Sequence, residues 1–299
     1  MSSSNAGSRP VAETGSRWVE PGHLYVVATP IGNLADISER AVSVLKGVDF
    51  IACEDTRHAR VLLDHLGVRK ELVALHEHNE RGASEAISRR LGEGQSAALI
   101  SDAGTPAISD PGEVLVRVLV DAGVPVVPVP GASAVIAALS AAGLPARPFW
   151  FEGFLPAQGK ARRDRLDWLA DIEATLVFYE APHRIIKSVA AAAEHLGGAR
   201  PAVLAREVTK RFEQFAHGSL DELTDRLASG EIPARGEFVF LVAPAAKQAD
   251  PSSAEAEALI SALIEEGVAP KTIARVVSRT TSLARNAVYA EVLARRKES

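Results

Sequence analysis

The chain has 299 residues, room for about two domains and for a core that needs no metal or disulfide staple. Hydrophobic residues make up 47% and charged residues 24%, the balance of a globular protein and not of a disordered or membrane-spanning chain. The net charge of −5 argues against a generic nucleic-acid binder, and the single cysteine, Cys53, excludes an intramolecular disulfide and suits the cytoplasm.

Residues 1–22 carry Ser, Gly and Pro without an apolar stretch, which reads as a disordered tail and not a signal peptide. No later run of apolar residues is long enough to span a bilayer. Leu24 to Ala28 predicts a first strand, ending in Thr29-Pro-Ile-Gly-Asn33, and Asp36 to Leu45 has helical period. Val48 to Cys53 predicts a second strand that ends in Glu54-Asp-Thr-Arg57. Cys53, inside that apolar run, reads as a small core residue. A helix over 58–66, a strand over Leu72 to Leu75, the polar cluster His76-Glu-His-Asn-Glu80 and a helix from Gly82 to Leu91 follow.

Ala97 to Ile100 reads as a buried strand, and Glu113 to Ala122 as a helix. Between them lies Ser101-Asp-Ala-Gly-Thr-Pro-Ala-Ile-Ser-Asp-Pro-Gly112. Asp110 is placed to cap the helix, with Pro111 at its first position. Ser101 to Pro106 is not needed for that cap and points to function. Val124 to Val129 predicts another strand, and Pro130-Gly-Ala-Ser133 opens a helix to about Ala142. The alternation implies a mostly parallel sheet covered on both faces. Polar loops at the strands' carboxyl ends then share one edge, where open α/β sheets bind ligands.

A Pro-rich break at Gly143 to Pro148 marks a boundary, after which the alternation resumes. Strands are predicted over Phe149–Phe154, Thr175–Glu180, Pro201–Arg206, Phe212–His217 and Gly236–Val242. Helices are predicted over Ala161–Asp171 and from Pro182 to Leu196, and a capping box at Ser219-Leu-Asp-Glu222 opens another. The rest is helical by period. The divisions are thus a tail over 1–22, an N-terminal α/β domain over 23–144, a second α/β domain over 145–245 and a helical domain over 254–299. Neither dinucleotide-binding nor P-loop glycine spacing is present, and no GxSxG elbow. His76 and His78 lack the further ligands a zinc site needs, so no metal is expected.

Five stretches together resemble one family: Tyr25 to Leu34, Ala52 to Arg57, His76 to Glu80, Ile100 to Gly112 and Phe178-Tyr-Glu-Ala-Pro-His-Arg184. They are similar to the cytidine 2′-O-ribose methyltransferases of small-subunit (16S) ribosomal RNA, a branch of the tetrapyrrole-methylase-like superfamily. The resemblance runs from about Leu24 to the C-terminal end. It implies two unequal α/β domains of the tetrapyrrole methylase type with a small C-terminal helical domain, S-adenosyl-L-methionine in the cleft between the α/β domains, and a homodimer. By the same resemblance Pro30, Asp102, Ala103, Gly104, Thr105, Ser133 and Ala134 line the cofactor from the first domain. Phe178, Tyr179, Ala205, Arg206 and Glu237 close over it from the second.

The implied reaction is in-line attack of a ribose 2′-hydroxyl on the cofactor methyl. Glu54, Asp55, His183 and Lys210 stand as candidate catalytic residues, with His76, Glu77 and Glu180 as further candidates for the base. Arg57, Arg184 and Arg211 suit phosphate contacts, as do Lys160, Arg162 and Arg163 in the basic run beside the boundary. From Val268 to Ser299, seven Lys and Arg, among them Arg295, Arg296 and Lys297, stand against two Glu, a surplus of five in an acidic chain. That segment reads as a docking surface for small-subunit ribosomal RNA, naked or within the assembled subunit, with packing on the body as the plainer alternative. Two other functions remain open on sequence: a tetrapyrrole-precursor C-methyltransferase, and a non-catalytic RNA-binding or ribosome-assembly protein.

Overall fold

A computed structural model describes residues 18–76, 78–245, 251–281 and 283–298. The tail over 1–17 and Glu77 lie outside the described residues. The first half is a parallel five-stranded sheet in the order β3-β2-β4-β1-β5. Its strands are β1 (Leu24–Val27), β2 (Phe50–Cys53), β3 (Glu71–Ala74), β4 (Ala97–Ile100) and β5 (Val126–Val129). Connecting them are α1 (Glu39–Gly47), α2 (Thr56–His65), α3 (Glu80–Gly92) and α4 (Glu113–Asp121), with α5 (Ala134–Ala141) after β5.

The sheet obeys its two-residue period. Ile51, Cys53, Ala98 and Ile100 pack on one face with Ala41 and Val44 of α1 and Leu63 of α2. Phe50, Ala52, Ala97 and Leu99 pack on the other with Ile87 of α3 and Leu115 and Leu119 of α4. Both β2 and β4 are buried at every position, which is why they read as continuous apolar runs. Cys53 is part of this core, and burial pushes its thiol up to about 11, far from a nucleophile's range.

The second sheet is mixed, in the order β6-β7-β10-β8-β9. Strands β6 (Phe149–Phe154) and β7 (Thr175–Glu180) run parallel, while β8 (Pro201–Arg206), β9 (Gln214–Ser219) and β10 (Phe238–Val242) pair antiparallel. Helices α6 (Gly159–Leu169), α7 (Ile185–Leu196) and α8 (Leu220–Ala228) complete this half. α8 opens on the capping box of Ser219 and Glu222. α5 is apolar almost all round, and its Val135, Ala138 and Leu139 pack on Val177, Val203, Ala205, Val239 and Leu241 of the second sheet. At about 1.5–3 kcal/mol for each buried Val or Leu, this helix of the first half is a principal tie to the second.

Contacts place both sheets in one compact unit, and residues 171–173 and 244–299 in another. The latter holds α9 (Pro251–Glu265), α10 (Pro270–Thr280) and α11 (Arg285–Glu298), with a core that includes Ile260, Ile273, Val277, Val288 and Val292. Pro270 occupies the first turn of α10.

Two differences from the sequence expectations bear on the loops at the sheet's edge. α2 begins earlier than residue 58, because the Asp55 side chain accepts the Arg57 N–H at 2.7 Å and caps it. α4 is not capped by Asp110. Gly112 precedes it, and Glu80 Oε1 of α3 accepts from the N–H groups of Gly112 and Val114 at 2.8 and 3.2 Å.

Candidate active site

Three loops at the carboxyl edge of the first sheet are stitched together by main chain. Thr29, buried after β1, donates its N–H to Gly104 O at 2.8 Å and accepts the Gly104 N–H at 3.1 Å. Its hydroxyl donates to Ser101 O at 3.3 Å. Thr105 Oγ1 donates to Ala132 O at 3.3 Å, joining the loop after β4 to the loop after β5. Gly104 sits at φ +79°, and a Cβ there would lie 3.3 Å from Ile31 Cγ2. Gly131 meets the end of β1 so closely that a Cβ would fall 2.9 Å from Ala28 Cβ. At these two positions glycine is what lets backbone meet backbone.

The second sheet brings side chains to the same place. Tyr179 lies between Phe151 and Phe154, at ring-centroid distances of 5.0 and 5.7 Å. Burial raises the Tyr179 phenol above its ordinary pKa, with the Val135 N–H opposing and the charge of Asp110 adding. That bond ties β7 to the first turn of α5. Glu180 is buried: Oε1 accepts the Ala181 N–H at 2.9 Å and lies 3.1 Å from Arg184 Nε, and Oε2 accepts from Ser188 Oγ at 2.5 Å. Arg184 also donates to Leu155 O.

Glu207 holds φ 51° and accepts the Glu237 N–H at 3.0 Å. Lys210 Nζ bridges Glu207 at 3.0 Å and Glu237 at 2.8 Å, and its stem crosses Gly32 of the first sheet's edge where a side chain would clash. Burial alone would lower the Lys210 ammonium pKa; the two carboxylates outweigh it and hold the group above the ordinary lysine value.

These walls enclose a cavity of about 410 Å³. Ala103, Gly104, Thr105, Ser133 and Ala134 line it from the first sheet, together with Ile31. Tyr179, Ala205 and Glu237 line it from the second. Glu180, Ala181 and Pro182, within the motif Phe178 to Arg184, line it too, and four further residues come from places with no special composition: Phe154 of β6, Val208, and Phe238 and Val239 of β10. Ile108, Ser109 and Asp110 complete it from the second part of the long loop.

The remaining sequence candidates lie elsewhere. Pro30 adjoins Ile31 but does not line the cavity. Phe178 points to the opposite face of its sheet, where it meets Phe240 at 5.4 Å between ring centroids. Arg206 donates to Arg235 O at 2.8 Å and Phe212 O at 2.9 Å. Asp102 turns toward α2, accepting from the Asp55 N–H at 3.4 Å and pairing with His58 at 3.0 Å. Asp55 caps α2 and pairs with Arg57 at 2.8 Å, and the hydrogen bonds from Arg57 hold its carboxyl well below the usual carboxylate range. Glu54 follows β2 beside it, and His183 is exposed before α7.

Of the basic candidates, Lys160 and Arg163 are exposed on α6 and Arg162 is half-buried. Arg211 lies over the Phe212 ring at 5.5 Å. Within the helical unit, Arg295 bonds Glu291 at 2.8 Å and Ser261 at 3.1 Å, and Arg296 bonds Val268 O at 2.7 Å. Lys297 falls in the last turn of α11. Lys271, Arg275 and Arg279 form an exposed stripe on α10, opposite its buried Ile273, Ala274 and Val277. Among the described residues no three of His, Cys, Asp or Glu are grouped so as to hold a metal ion, and no helix is long and apolar enough to cross a membrane.

A parallel sheet whose loop edge is roofed by a second, mixed sheet is an arrangement with known counterparts. The family described as Tetrapyrrole (Corrin/Porphyrin) Methylases matches residues 23–224, and the chain belongs to it. Within that family it is 50% identical over 269 residues to Ribosomal RNA small subunit methyltransferase I of Xylella fastidiosa strain Temecula1, covering 90% of this chain and 98% of the relative. The protein of the same name from Pseudomonas aeruginosa is 49% identical, covering 93% and 99%, and that from Escherichia coli O157:H7 is 46% identical, covering 90% and 93%. Among solved structures, uroporphyrin-III C-methyltransferase from Thermus thermophilus complexed with S-adenosyl homocysteine superposes with TM-score 0.52 at 20% identity, over 74% of this chain and 97% of that one. Diphthine synthase superposes with TM-score 0.56 at 16% identity, over 74% and 90%. These structural likenesses establish the fold.

Proposed function

We propose that the chain transfers the methyl group of S-adenosyl-L-methionine to the ribose 2′-hydroxyl of a cytidine in small-subunit ribosomal RNA. The observation that carries this reading is the cavity. Its volume is within the roughly 300–1,000 Å³ of small-molecule sites, and its walls suit a zwitterionic nucleoside. Main chain of Ala103 to Thr105 offers donors and acceptors with little bulk, Tyr179 and Phe154 offer aromatic surface, and Ser133 leads into the amino end of α5. The names of the close relatives and the five motifs support the substrate. The bound sulfonium supplies an activated methyl group. The residues of the chain hold that group and the acceptor in line, a contribution of about 7–11 kcal/mol at best.

RNA docking falls to exposed cations. Lys271, Arg275 and Arg279 repeat every four residues on α10, and none of the three is needed for the core of its unit. Reversing all three to Glu lowers RNA affinity and flattens the slope of log K against log salt by about 2, while cofactor affinity stays unchanged. A filter-binding salt series reads this; an unaltered slope removes α10 from the interface. A homodimer belongs to the same reading, and sedimentation measures it. The reaction itself is tested by tritium transfer from labelled S-adenosylmethionine. Label in small ribosomal subunits supports the proposal, and label only in a corrin or porphyrin precursor replaces it with the tetrapyrrole alternative.

A further inference from the structure

Asp110 stands where a helix cap belongs and does not serve as one. Glu80 of α3 satisfies the N–H groups at the start of α4, and Asp110 is part of the cavity wall instead. The backbone around it is bent to this end. Ala107 and Ser109 hold φ 64° and 66°, a left-handed conformation that costs a non-glycine residue about 1–2 kcal/mol. Gly112 holds φ 132°, and a Cβ there would fall 2.8 Å from Leu99 Cδ2. Neither β4 nor α4 requires this path; its effect is to put Ile108, Ser109 and Asp110 on the cavity wall.

Three carboxylates line the cavity: Asp110, Glu180 and Glu237. Glu180 is held by Arg184, Ser188 and the Ala181 N–H. Glu237 is held by Lys210 and is largely exposed. No cation is among the described groups that act on Asp110. Burial pushes its carboxyl above the ordinary carboxylate value, a hydrogen bond with Ser101 opposes this, and the charge of Asp102 adds to it. The titratable groups that interact with it are Asp102 on its own loop and Tyr179 of β7, and Glu180 and Glu237 line the same cavity.

We propose that Asp110 is the proton acceptor in methyl transfer. This rests on the reading of the chain as a ribose 2′-O-methyltransferase. The 2′-oxygen forms its bond to the methyl carbon as the carbon–sulfur bond breaks, and the hydroxyl proton passes to the Asp110 carboxylate. The sulfur leaves as a neutral thioether, so the positive charge of the donor and the negative charge of Asp110 disappear together. After the products leave, the carboxyl group returns its proton to water. A base of raised pKa is better matched to this task than an ordinary surface carboxylate.

The test uses the full chain, its Asp110→Asn and Asp110→Glu variants, and small ribosomal subunits as acceptor. Single-turnover transfer rates are measured across pH, and affinities for S-adenosylmethionine and S-adenosylhomocysteine by calorimetry. The wild-type rate rises with pH along a one-proton limb to a plateau. Asp110→Asn loses about 100-fold or more in rate and loses that limb, while both affinities stay within about threefold; Asp110→Glu recovers part of the rate. An Asn variant with the wild-type rate overturns the proposal. So does a loss of affinity confined to S-adenosylmethionine, which would make Asp110 the partner of the sulfonium charge. If the wild type itself places no label in subunits, the ribose-methylation reading fails, and the proposal with it.

Discussion

The two edges that meet at the cavity are built on different principles. The first sheet presents main chain: Thr29 and Gly104 are joined by backbone bonds, the Thr105 hydroxyl reaches the Ala132 carbonyl, and glycines permit the close approaches. The second sheet presents side chains fixed by charge: Glu180 with Arg184, and Lys210 between Glu207 and Glu237. A wall of backbone tolerates little change in φ. A wall of ion pairs tolerates little loss of a partner. The long loop after β4 combines both, with main chain at 103–105 and a carboxylate at 110.

Removing a partner from the charged edge carries the largest effect. Glu180→Ala leaves Arg184 without its buried counter-charge and Ser188 without its acceptor, and a loss of about 3 kcal/mol in urea unfolding is expected. A loss under about 1 kcal/mol would mean that the edge is not held by this pair. Distorting the backbone edge comes next. Gly104→Val must hold a β-branched residue at φ +79° against Ile31, and calorimetry is expected to show cofactor affinity lowered at least about tenfold, or 1.4 kcal/mol. Wild-type affinity would show that the loop contributes side chains and not main chain. The smallest effect is expected at Asp102→Asn. Its partner His58 is 73% exposed, a surface pair worth about 0–1 kcal/mol, so cofactor affinity should change less than about threefold. A larger change would bring Asp102 into the cavity wall.

The first edge was legible in the sequence because its requirements are local. A run such as Ala97 to Ile100 followed by Gly- and Pro-rich polar residues states both a buried strand and a ligand loop; of the residues the family resemblance assigned to this edge, Ala103, Gly104, Thr105, Ser133 and Ala134 line the cavity and Pro30 and Asp102 do not. The second edge was only half legible. Tyr179, Ala205 and Glu237 line the cavity, but Phe154 arrives through the pairing of β6 with β7, Val239 through the antiparallel pairing of β10 with β7 and β8, and Val208 from the loop after β8, which no local pattern announces. Strand alternation alone separates Tyr179 from Phe178. Asp110 was hidden by a plausible local role. Only the position of Glu80, thirty residues away in the chain, shows that the cap is supplied from elsewhere.

The most direct measurement is nucleoside mass spectrometry of small ribosomal subunits incubated with the protein and S-adenosylmethionine carrying a trideuterated methyl group. The account predicts the heavy methyl group on the ribose of cytidine, as 2′-O-methylcytidine. Heavy methyl on a base, or none in RNA while a porphyrin or corrin precursor takes it up, would contradict it.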